Sequence, residues 1–175
     1  MSPCHPSAGS AKADQPSLSL FSSLQGVQAV TRFCSTRFQP PIDCVPLVMG
    51  VALDEKVPLE VRRTFVFAQG ALCYGHWYYP LLTLISHDLL RIADFAMVAA
   101  CRERQIGART FEKRIAALIT AGAISAQDEQ MWTELRKERD RATHPASQSI
   151  YGFSMAFDVL KVVRELINRI DWLPS

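Results

Sequence analysis

Apolar side chains recur at helical spacing along most of the chain. Leu18, Phe21, Leu24, Val27, Val30 and Phe33 fall every three residues and predict a helical stripe, weakened by Gly26. Residues 39–46 are predicted non-helical, because Pro40, Pro41 and Pro46 lack the backbone donor and bias their predecessors to extended geometry. Residues 45–53 read equally as a short strand or an apolar connector. A helix is predicted from Pro58 to about Tyr74, with the proline in its first turn. Gly75 and Pro80 then bracket His76, Trp77, Tyr78 and Tyr79, expected to form an aromatic corner packed on the core.

Beyond this corner the pattern is more regular. Leu82, Ile85, Leu89, Ile92, Ala96 and Ala99 define one face of a long helix over about 79–104, with Gly107 as its stop. A second helix is predicted over 109–120, with Phe111, Ile115, Leu118 and Ile119 inward and Gly122 at its C-terminal cap. Ser125 and Asp128 have the spacing of a capping box and open a third helix running to about Thr143, ended by Pro145. A final helix over 150–170 carries two apolar stripes. Phe153, Phe157, Leu160, Val163, Ile167 and Ile170 form one, Val159, Val162 and Leu166 the other, so burial is expected on both sides, within the bundle and against a partner chain. No segment past residue 54 alternates with period two. The expected fold is all-α, with a tail over 1–17, an N-terminal helical and irregular extension over 18–74 and a helical bundle over 75–175.

Composition narrows the class. Among 175 residues, 49% are apolar, too many for a disordered chain at a net charge of +2. Apolar runs such as 81–90 are broken by Asp88, Arg91 and Asp94 before reaching the ~20 residues of a membrane span. The basic excess is too small for non-specific grip on nucleic acid. Five widely spaced cysteines without a C-x-x-C pair suit reduced thiols, and residues 1–16 lack the pattern of a secretory signal. A cytoplasmic protein without membrane attachment is expected.

The candidate chemistry lies at the end of the third predicted helix. Its inward stripe passes through Met131 or Trp132, Leu135, position 138 or 139, and Ala142, so Arg139 falls on or beside the apolar face. A guanidinium there requires a carboxylate, a phosphate or a water-filled cleft. His144 follows five residues later, about 140° around a continuous helix. Pro145 disfavours helical geometry at His144, which allows the last turn to unwind and swing the imidazole back towards Arg139.

Arg139-Asp140-Arg141-Ala142-Thr143-His144 resembles the R-(N/D/H)-x-x-x-H motif of HEPN domains, and the flanking helix, turn and long C-terminal helix are similar over roughly residues 75–171. The resemblance implies a HEPN-like up-and-down bundle of four to six helices. It also implies a metal-independent endoribonuclease without a cofactor, in which a homodimer lines one cleft with the Arg and His of both chains. His144 would act as general base or acid at the ribose 2′-hydroxyl, Arg139 would hold the scissile phosphate with Arg141 nearby, and Asp140 would orient the pair. A toxin or defence role follows, with RNA as substrate and an antitoxin such as a nucleotidyltransferase as a possible partner. Where some family toxins carry a tyrosine two residues after the histidine, this chain has Ala146, and Tyr151 is too distant to stand in for it.

Competing readings accompany each residue. Arg139 and His144 also fit a charged last turn that complements the helix dipole, and the domain also fits a non-catalytic module binding nucleotide, RNA or a protein. His87, Asp88, Arg91 and Asp94 read as an ion-pair ladder or as a second polar wall of the cleft. Arg102, Arg104, Arg109, Lys113 and Arg114 read most simply as a solvated end. Trp77, Tyr78 and Tyr79 offer base stacking, with packing at a helix start the commoner cause. Cys73 and Cys101 are expected to be inert core thiols. His76, His87 and His144 lack metal-ligand spacing, and no metal site is expected.

Overall fold

The computed structural model describes residues 44–75, 77–143 and 151–173. The predicted stripe at 18–33 lies outside them. The fold is all-α, with six α-helices and no strand among the described residues: α1 (Cys44–Met49), α2 (Leu59–Tyr74), α3 (Pro80–Glu103), α4 (Phe111–Thr120), α5 (Glu129–Thr143) and α6 (Phe153–Arg169), with a 3-10 turn over Ala126–Asp128 before α5.

Helix α1 corrects the expectation of non-helical chain up to Pro46, and it replaces the strand-or-connector alternative for residues 45–49. Pro46 is the third residue of this helix, where backbone N–H groups have no intrahelical partner, so its missing donor costs nothing. Its carbonyl still accepts from Gly50 N at 2.9 Å. The connector after α1 is held by side chains. Buried Gln69 of α2 donates Nε2 to Val48 O and Val51 O at 2.6 and 2.8 Å. Asn168 of α6 exchanges two 3.0 Å bonds with Asp54.

Helix α3 is the axis of the bundle. At ~1.5 Å per residue its 24 residues span ~36 Å. The six face residues expected from periodicity are all buried, and Leu90, Ala93, Met97, Ala100 and Cys101 bury the flanks as well. Both stripes of α6 are buried inside this one chain, with Phe153 only partly so. One continuous core runs from Val48 of α1 through Phe65 and Leu72 of α2 to Ile170 and Trp172.

Turn chemistry sets the helix ends. Beyond α3 the stop is Gln105, at φ 57°, rather than Gly107: Ile106 N bonds Cys101 O and Gln105 N bonds Arg102 O, the Schellman pattern with a glutamine in the left-handed position. Gly122, at φ 72°, closes α4 in the same pattern, through Ala123 N to Leu118 O, as its sequence position predicts. Thr110 caps α4 by accepting from Lys113 N. Ser125 accepts from Gln127 N, but Asp128 pairs with Arg169 of α6 at 2.7 Å, tying the base of α5 to the C-terminal helix.

Two expectations are overturned, the second only in part. Trp77, Tyr78 and Tyr79 are exposed and do not pack on the core; the corner is closed by Leu82, which packs over Gly75. At the α3–α4 end Arg102, Arg109 and Lys113 are exposed as expected, Arg102 beside Glu60, but Arg104 is largely enclosed and bonds the Asp171 carbonyl, and Arg114 pairs with Asp94. Backbone and carboxylate acceptors brought close by the fold claim the guanidinium groups of Arg104 and Arg114.

A Cβ on Gly75 would fall inside van der Waals contact with Leu82 Cδ2 and 3.2 Å from Leu72 O. Gly75→Ala is therefore expected to lower stability by ~1–3 kcal/mol. Gly107→Ala, where a Cβ meets nothing within 4 Å, serves as a neutral control in chemical denaturation.

Candidate functional site

Helix α5 presents Trp132 and Leu135 fully to the core, Ala142 partly, and Arg139 on the same stripe. The guanidinium of Arg139 finds the carboxylate its position demands. Nη1 donates to Asp94 Oδ2 of α3 at 2.8 Å, and Cζ lies 5.4 Å from the ring centroid of Phe111 of α4. Phe111 in turn packs against Trp132, with ring centroids 6.5 Å apart.

Asp94 is shared. Its other oxygen, Oδ1, accepts from Arg114 Nη1 at 2.7 Å. One carboxylate thus joins two guanidinium groups from two different helices, leaving a formal charge of +1. The arginines differ in what else they do. Arg114 also donates to the carbonyls of Ala108 and Arg109, so its fork is committed to the loop before α4. Arg139 keeps 29% of its side chain exposed, and its only further described contact is Asp140 Oδ1, 3.5 Å from Nη2. Of five N–H donors, one is firmly used on Asp94.

The remaining predicted residues fall around this point. Asp140 lies between Arg139 and Arg136, whose Nε is 3.6 Å away. Arg141 pairs with the largely covered Glu138 of the same helix. His144 and Pro145 lie outside the described residues, as does His76. The chain is described again at Tyr151, whose N–H donates to Thr83 Oγ1 at 3.1 Å and whose buried ring meets His87 edge-on at a centroid distance of 6.0 Å. Burial raises the phenol pKa, with smaller effects from Glu138 (raising) and Arg141 (lowering).

No protein-family model, curated protein or solved structure matches the chain. The residues themselves carry the functional argument.

Arg139 lies on the expected inner stripe, and the group His87, Asp88, Arg91 and Asp94, read as an ion-pair ladder or as a second polar wall of the cleft, divides between the two. Asp88 and Arg91 do approach to 4.0 Å as an exposed pair, while Asp94 turns to α4 and α5. The available signal was position: Asp94 follows buried Ile92 and Ala93 directly, at the edge of the core face. Cys101 is buried and Cys73 half-buried, and burial pushes both thiols above their ordinary range, as expected for unreactive core groups. Among the described residues no three metal-ligating side chains gather. No helix among them is long and apolar enough to cross a membrane.

Removing the carboxylate strands two guanidinium groups. Asp94→Ala is expected to cost ~2 kcal/mol, and a double-mutant cycle with Arg139→Ala should return ~1–2 kcal/mol of coupling. His87 supplies a pH prediction. Its Nε2 is enclosed without a hydrogen-bond partner among the described residues, and burial lowers the imidazole pKa below 6.5. The unfolded chain then binds the proton more readily, so this group's contribution to stability falls as pH drops through 6.5 and levels off below the folded-state pKa. Melting temperatures between pH 8 and 5 should show that loss in the parent, reduced in His87→Phe.

Proposed function

We propose that the protein is a HEPN-type endoribonuclease that cleaves RNA by attack of the ribose 2′-hydroxyl on the adjacent phosphate. The observation that carries this reading is the state of Arg139. It is aimed by Asp94 and Phe111, partly open to solvent, with N–H donors to spare at the end of α5, five residues before His144. A guanidinium so held is pre-oriented for a second anion.

In the proposed step His144 takes the 2′-hydroxyl proton as the 2′-oxygen bonds to phosphorus. The bond from phosphorus to the 5′-oxygen breaks, and an imidazolium returns a proton to that oxygen. The products are a 2′,3′-cyclic phosphate and a 5′-hydroxyl. Arg139 neutralises charge on the non-bridging oxygens, with Arg141 as a further phosphate contact, and Asp140 orients the arginine. A second copy of the chain supplies a second Arg–His pair. A toxin or defence effector, paired with an antitoxin such as a nucleotidyltransferase, is the biological setting this activity fits.

A second reading is favoured by the Asp94 pair itself. An arginine already bound to a carboxylate also serves as a cross-link between α3 and α5 in a non-catalytic module that binds nucleotide, RNA or a partner protein.

Purified protein incubated with total RNA in EDTA separates the two. Cleavage leaving cyclic phosphate ends is expected, with Arg139→Ala and His144→Ala each lowering the rate ~100-fold or more. No cleavage by the parent, or equal cleavage by His144→Ala, sinks the enzyme reading. RNA binding that weakens in Arg139→Ala without any cleavage establishes the second.

A further inference from the structure

The outer side of α2 carries apolar groups that the core does not use. Phe67 is 80% exposed and Tyr74 70%, opposite buried Val61, Phe65, Ala68 and Leu72. On α3, Leu84, Phe95 and Val98 are exposed and share a stripe with Arg102. The pairing of Arg102 with Glu60 of α2 sets that stripe beside the same outer side. Charges on the two stripes are Arg63, a turn before Phe67, and the pairs Glu60–Arg102 and Asp88–Arg91. Between them runs an apolar two-helix groove.

Gly70 lies at the centre of the α2 stripe, between Phe67 and Tyr74. A glycine inside a helix is destabilising relative to alanine, and a Cβ here would meet nothing within 4 Å. No described neighbour needs the gap. A further helix lying close across α2 would.

The chain's own sequence offers a matching segment. Within the apolar stripe of 18–33, Leu20, Leu24 and Val27 follow i, i+4, i+7 with Phe21 beside them, the spacing of a helix that anchors in a groove. No Asp, Glu, Lys or Arg falls between Asp14 and Arg32, which suits an apolar floor. The described chain starts at Cys44, on the buried side of α1 with Val48. Val48 meets Gln69, and Cys44 lies a turn further towards the end of α2, where it adds to the burial that raises the Cys73 thiol pKa. Cys73 precedes Tyr74, so the chain joins the bundle beside this face. At ~3.3 Å per residue, positions 34–43 reach up to ~33 Å, more than the ~24 Å length of the 16-residue α2. Such a tether gives the segment a millimolar effective concentration at the groove.

We propose that the groove between α2 and α3 seats the chain's own segment 18–33, with Leu20, Leu24 and Val27 packed across Gly70. It is a helix-binding surface filled in cis. The proposal is independent of the ribonuclease reading and of any association between copies.

Hydroxyl-radical footprinting of the full chain tests it. Phe67, Tyr74 and Leu84 should label ~5-fold more slowly in the parent than in Leu24→Asp/Val27→Asp, with Trp132 protected in both. Reciprocally, Phe67→Lys should speed tryptic cleavage after Arg32 by ~5-fold or more. Equal labelling in parent and variant overturns the proposal, whether the face is bare or covered by something else. Protection that grows between about 1 and 100 µM protein overturns it too, because a second copy is then the occupant. Unchanged cleavage in Phe67→Lys does the same.

Discussion

The carboxylate of Asp94 is the constraint on which the polar half of the molecule depends. Its two oxygens receive one guanidinium each, from α4 and from α5, so a single side chain on the central helix fixes the approach of two others. Apolar packing alone sets the distance between these helices but leaves their rotation soft. A shared acceptor with two directional bonds limits rotation as well, and it does so beside the Phe111–Trp132 ring contact. The arrangement also sorts the two arginines. Arg114 is absorbed by the loop carbonyls, and Arg139 is directed by Asp94 with part of its side chain exposed.

Much of the fold is legible in the sequence because burial on α3 and α6 is so complete that periodicity alone finds it. The six-residue stripe from Leu82 to Ala99 and both stripes of α6 lie where the pattern puts them. Gly122 is equally legible, since a left-handed cap after an apolar repeat is a local matter. Of the departures, one has a distant cause and one a local cause. Helix α1 forms around Pro46 because Gln69, more than twenty residues later, supplies donors to the carbonyls at and beyond its end. Gln105 accepts a left-handed backbone because Cys101 and Arg102 offer their carbonyls there, where a glycine two residues on looked the better stop.

The candidate site is legible to the same degree. That Arg139 faces inward and needs an anion follows from the spacing of Trp132, Leu135 and Ala142. Which anion it finds does not, because Asp94 lies 45 residues away on another helix. The exposed corner departs from expectation for the converse reason. Aromatic residues beside a helix start normally pack, and only the placement of Leu82 over Gly75 shows that the core closes without them.

The three tryptophans occupy different surroundings, and this gives the protein built-in optical reporters. Trp132 is sealed in the interior beside Phe111, and Trp172 is buried with its indole N–H given to Ile167 O at 3.1 Å, so both emit from dry environments until the bundle opens. Trp77 is largely exposed at the corner and emits at longer wavelength. Excitation at one wavelength therefore yields two separable signals: the blue component follows unfolding of the interior, and the red component follows whatever comes to rest on the outer face of α2.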